Sequence, residues 1–119
     1  MKFTHLKNLI GHKPWKINNG WCFVWALYAR EEIPFAQLFT YLPHGGHAFV
    51  KIKDKYYDAE SPLGVTHWKK LKFFRDILQK NLKCSEKSIK KQNIYQFCKF
   101  WAMEGAAPLP DKYKKYWDD

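Results

Sequence analysis

The stretch Trp21-Cys22-Phe23-Val24-Trp25-Ala26-Leu27-Tyr28-Ala29 contains no charged side chain. A helix that is apolar on every side is stable only when the rest of the chain surrounds it. Asn18-Asn19-Gly20 precedes the run as a turn signal and offers an N-cap, and Glu31-Glu32-Ile33-Pro34 ends it. A central buried helix opening near Cys22 is therefore expected. The chain has 119 residues, enough to build one core around such a helix without disulfide staples.

The segments C-terminal to this run supply the wrapping. Residues 36–42 read as a short strand, broken by Pro43-His44-Gly45-Gly46. Residues 47–52 and 56–59 alternate as a hairpin around Lys53-Asp54. Ser61-Pro62-Leu63-Gly64 reads as a loop. Thr66 can cap a helix over 67–82, with Trp68, Leu71, Phe74 and Leu78 on one side. Ser85 or Ser88 can cap a last helix ending near Gly105, with Ile94, Phe97, Cys98 and Trp101 as its stripe. A polar, proline-containing tail starts at Ala106. No linker or repeat divides residues 1–119, so one α+β domain is expected. Its central helix carries Cys22 and packs on a small antiparallel sheet, with further helices toward the C-terminus.

Hydrophobic residues make up 46% of the chain, which excludes a disordered tail. The three cysteines, Cys22, Cys84 and Cys98, are odd in number and irregularly spaced, which argues against a disulfide framework. The first residues lack the apolar stretch of a signal peptide, and no apolar run is long enough to span a bilayer. Together these favour the cytoplasm, a free Cys22 thiol and no membrane partner. The net charge of +10 is concentrated in residues 69–91, where nine basic residues face only Asp76 and Glu86. Such a run can attract nucleic acid or an acidic protein. The helical pattern also places Lys69, Lys72, Lys80 and Lys83 away from the apolar side, as a solvated face. Trp15, Trp21, Trp68 and Trp117 with the basic helices suggest a nucleic-acid platform, but core packing explains them more simply. Nucleic acid is accordingly expected to bind weakly. Small, basic, aromatic-rich chains also suit a phage or mobile-element origin.

A cysteine nucleophile acts as its thiolate, and a helix N-terminus favours thiolates. Cys22 follows Asn18-Asn19-Gly20 in that position. Backbone N–H groups there can hold an oxyanion, and Gly20 allows a carbonyl to approach closely. The matching base is a histidine on a rigid element, oriented by a carboxylate. A two-residue turn at Lys53-Asp54 pairs Val50 with Tyr57 and His47 with Glu60. His47, Asp58 and Glu60 then share one face of the hairpin. Glu60 is directly opposite His47 and Asp58 is its diagonal neighbour; either can hold the imidazole.

The run Asn19-Gly20-Trp21-Cys22-Phe23-Val24-Trp25-Ala26, followed by His47-Ala48-Phe49-Val50-Lys51-Ile52 and Tyr56-Tyr57-Asp58-Ala59-Glu60, resembles the core of the papain-like and transglutaminase-like cysteine superfamily. The resemblance covers roughly residues 18–60. It implies Cys22 as nucleophile, His47 as base, Asp58 as orienting residue, and Asn18 or Asn19 as an upstream oxyanion donor. The activity it implies is a thiol-dependent hydrolase or acyltransferase. The substrate would be a peptide or protein, attacked at a peptide, isopeptide, amide or thioester bond.

The alternative is an inactive binding protein on the same scaffold, using its basic face for an acidic protein or nucleic acid. Cys22 would then be a small buried side chain, His47 a strand-start residue and Asp58 a turn acceptor. Cys98 lies on an apolar stripe and is expected in the core. Cys84 is expected at a surface or helix end. His44, His47, His67 and Cys22 match no familiar zinc spacing, so neither a metal nor a cofactor is expected.

Overall fold

Lys53 and Asp54 reverse the chain between two strands, with Lys53 in the left-handed region at φ 57°. The resulting pairing, Val50 with Tyr57 and Ile52 with Lys55, is the register expected from the alternation. A computed structural model of the chain describes residues 22–104 and 111–116. Within them, helix α1 (Cys22–Glu32) precedes β1 (Gln37–Tyr41), β2 (His47–Ile52), β3 (Lys55–Asp58) and β4 (Ser61–Val65). Helix α2 (Lys72–Gln79), β5 (Lys90–Gln92) and α3 (Ile94–Glu104) come next. The strands form one sheet in the order β4-β3-β2-β1-β5, every neighbouring pair antiparallel. The architecture is α+β, with Cys22 buried in a helix that lies on the sheet.

The alternation of β2 divides the interior in two. Ala48, Val50 and Ile52 face α1 and α3, where Val24, Leu27, Leu38, Phe97 and Cys98 complete one core. Phe49 faces the other way, joining Tyr41 beneath Trp68, Leu71, Phe74 and Ile77. Helix α1 is buried nearly all round: Cys22 through Leu27 and Ala29 are all inside. Each such large aliphatic or aromatic side chain contributes about 1.5–3 kcal/mol by leaving water. The C-terminal turn Asp111–Tyr116 clamps the far end of α1, where the Tyr113 hydroxyl donates to Glu31 Oε2 at 2.9 Å.

Four local expectations are corrected. Ser61-Pro62-Leu63-Gly64 is not a loop but most of β4. Pro62 is tolerated because β4 is an edge strand, and Gly64 takes φ 87° against the Tyr57 ring. The helix over 67–82 is broken: His67 caps a 3₁₀ turn (Trp68–Lys70), Leu71 is extended, and α2 begins only at Lys72. The buried set is Trp68, Leu71, Phe74 and Ile77, a spacing of three, while Leu78 points outward. The residues before the last helix form an unexpected strand, β5, and Ser85 caps only a single 3₁₀ turn. Asn93 caps α3 instead: its Oδ1 accepts from Gln96 N at 2.8 Å and Gln96 Oε1 accepts from Asn93 N at 3.0 Å.

Candidate active site

His47 is the first residue of β2 because the chain turns sharply just before it. His44, Gly45 and Gly46 have φ of 60°, 93° and 82°, and this left-handed path delivers His47 opposite Tyr41. The imidazole is fully buried. Its Nε2 meets Asp58 Oδ2 at 3.0 Å, and Asp58 Oδ1 accepts the Glu60 backbone N–H at 3.0 Å. One carboxylate oxygen therefore holds the ring while the other is held by the backbone. Phe73 of α2 lies flat on the imidazole, with centroids 4.6 Å apart and planes 19° apart.

With Nε2 committed to Asp58, Nδ1 is the nitrogen left for Cys22, and it forms no completed hydrogen bond among the described residues. The Cys22 side chain is nevertheless close enough to act on the ring's proton affinity. Burial alone would push the imidazole pKa down. Asp58, and then Cys22, more than offset that and raise it to about 9. In the neutral ring, a proton on Nε2 directed at Asp58 leaves the Nδ1 lone pair to accept from a thiol. Cys22, His47 and Asp58 are all buried, exposed to 6%, 0% and 1%.

The sequence left Asp58 and Glu60 open as the partner of His47. The geometry separates them. Strand β3 ends at Asp58, and Ala59-Glu60 form the turn into β4, so no cross-strand pair brings Glu60 opposite His47. Glu60 serves the arrangement through its main chain. Asn18, Asn19 and Gly20 lie outside the described residues, as do Trp15, Trp21 and Trp117. His44 and His67 are occupied elsewhere: His44 Nε2 donates to the Lys83 carbonyl at 3.1 Å, and His67 Nδ1 accepts from Lys69 N at 3.1 Å. Among the described residues, no three His, Cys, Asp or Glu side chains form a group that could hold a metal ion.

Sequence reading missed two neighbours of the imidazole. Tyr41 pairs across from His47, and burial, with the Cys84 thiol alongside, pushes its phenol up to about 12. The alternation of β1 carried that signal once its register was known. Phe73 had no local signal, because its role comes from the way α2 lies across the sheet. Trp68 is a core residue, and Cys98 is fully buried as expected. No helix among the described residues is long and apolar enough to cross a membrane. Comparisons with protein-family models, curated proteins and solved structures return no match.

Proposed function

We propose that the chain is a thiol-dependent hydrolase or acyltransferase with Cys22 as nucleophile, His47 as base and Asp58 as orienting residue. The order of the three is that of the papain-like and transglutaminase-like superfamily, and on this reading the chain is a small member of it. The observation that carries the reading is the buried His47–Asp58 pair with Nδ1 directed away from the carboxylate. Dry, hydrogen-bonded, oriented imidazoles of this kind are costly to build and suit proton transfer.

In the proposed reaction the Cys22 proton already rests on His47, as an imidazolium that Asp58 and the sulfur favour, and the sulfur attacks the carbonyl carbon as the thiolate. The tetrahedral adduct collapses as the carbon–leaving-group bond breaks, and the leaving group departs with the proton from His47. A thioester to Cys22 remains. Water, or an acceptor amine or thiol, then attacks it, His47 takes that nucleophile's proton, and Sγ leaves. The imidazolium keeps that proton beside the thiolate. Asp58 keeps the ring in the productive tautomer and favours its cationic state.

Labelling by an electrophilic vinyl-sulfone or acyl probe tests this without a known substrate. Cys84 is only half-buried, so the assay is done in a Cys84→Ser background. Labelling at Cys22 that drops at least tenfold in His47→Ala supports the reading. Equal labelling of the folded parent and His47→Ala would make Cys22 an ordinary thiol.

A further inference from the structure

We infer that the sheet face beyond α2 is a binding surface for single-stranded nucleic acid. On this face Tyr41, Phe49, Trp68, Leu71, Phe74 and Ile77 are buried, while Phe39, Tyr56 and Val65 at its margin pack against them and stay only partly buried.

The cross-strand register lays out what is left. Gln37, Lys51, Tyr56 and Val65 are successive partners over four strands, and Lys91, Phe39 and Phe49 form the next row on the same face. The Phe39 and Tyr56 rings are only half-buried, with centroids 6.4 Å apart. Each has a lysine as its direct cross-strand neighbour. Lys51 Nζ lies 5.3 Å from the Tyr56 ring centre, and Lys91 stands exposed beside Phe39. All nine basic side chains of residues 69–91 are exposed, and of the two on β5 Lys91 shares the face of Phe39 while Lys90 pairs with Thr40 on the other. Among the described residues, only Lys72 of the nine is drawn into an ion pair, with Asp76.

Half-exposed rings bordered by cations match one ligand chemistry in particular. Bases stack on the rings and phosphates meet the lysines, with no requirement for a particular sequence. An acidic protein would use the lysines but has no need of the rings, and a duplex hides its bases from stacking. The tryptophans were the candidate platform in the sequence. The structure puts Trp68 in the core and offers Phe39 and Tyr56 instead.

The test is fluorescence anisotropy of a labelled oligothymidine of about 20 nucleotides, and of a duplex of equal length, against the full chain from about 50 to 200 mM salt. The single strand should bind more tightly than the duplex, with affinity falling as salt rises. Tyr56→Leu and Phe39→Leu keep apolar volume but remove the π-face, and each should bind about tenfold more weakly with the salt slope unchanged. Lys51→Gln and Lys91→Gln should each reduce the slope by about one. These two leave the core untouched and keep the test decisive if a leucine variant does not fold. Cys22→Ala should bind like wild type, because the surface is independent of the proposed chemistry. Equal affinity for duplex, leucine variants that bind like wild type, or no binding at about 100 mM salt would overturn the inference.

Discussion

Phe73 and His47 stack almost parallel, 4.6 Å between ring centres, although they come from different elements on one face of the sheet. Asp58 restrains the imidazole only along its Nε2 direction, and Phe73 restrains its tilt. Phe73→Ala should leave the His47–Asp58 bond in place but loosen the ring. Probe labelling at Cys22 should fall several-fold while Phe73→Leu retains most of it. Phe73 is half-buried, so the stability cost should be below the range of about 3–5 kcal/mol for a fully buried Phe. A folded Phe73→Ala labelled at the parent rate would show that the stack has no positioning role.

The His47 proton links stability to pH. Its folded pKa is raised from an ordinary 6.5 to about 9, so the folded chain keeps a proton that the unfolded chain releases over that interval. The associated stability should be fully present below about pH 6.5 and be lost as pH rises through about 9. Asp58→Asn removes the carboxylate and should flatten that slope. Urea midpoints measured from about pH 6 to 9.5, with an NMR titration of the imidazole, check both statements.

Removal of the sulfur should separate chemistry from folding. Cys22→Ala should abolish covalent labelling at this position at a stability cost on the order of 1 kcal/mol, because little volume is lost. His47→Ala should match that loss of labelling if, as proposed, the two act as nucleophile and base, whose effects are not additive. Asp58→Asn should be milder. Glu60→Gln should be close to wild type, since Glu60 supports Asp58 through its backbone N–H. A Glu60→Gln variant as impaired as Asp58→Asn would reassign the third residue.

Gly64 on the edge strand β4 has no room for a side chain. A Cβ there would meet the Tyr57 ring at 2.7 Å, on a backbone at φ 87° that side chains rarely adopt. Gly64→Ala should destabilise by roughly 1–3 kcal/mol, measured by thermal melting. A variant with an unchanged melting temperature would mean that β4 can detach without consequence for the core.

How much of this was legible beforehand depends on the range of each interaction. The all-apolar run of α1 and the alternation of β2 and β3 are local periodicities, and each states by itself which side must be buried. The Lys53-Asp54 turn then dictates the register, which puts His47 and Asp58 on one face. Those features rest on neighbours within about a dozen residues. Local pattern did not reach the choice between Asp58 and Glu60, which depends on where β3 gives way to the turn into β4. Nor did it reveal β4 itself: Pro62 argues against a strand until an edge is available to receive it. Leu71 breaks the expected helix because Trp68, Leu71, Phe74 and Ile77 must all reach the same core, and a single α-helix cannot align a spacing of three. The Phe73 stack and the Phe39–Tyr56 face likewise come from α2 crossing part of the sheet. They are packing outcomes between segments far apart in the chain, and no periodicity within either segment encodes them.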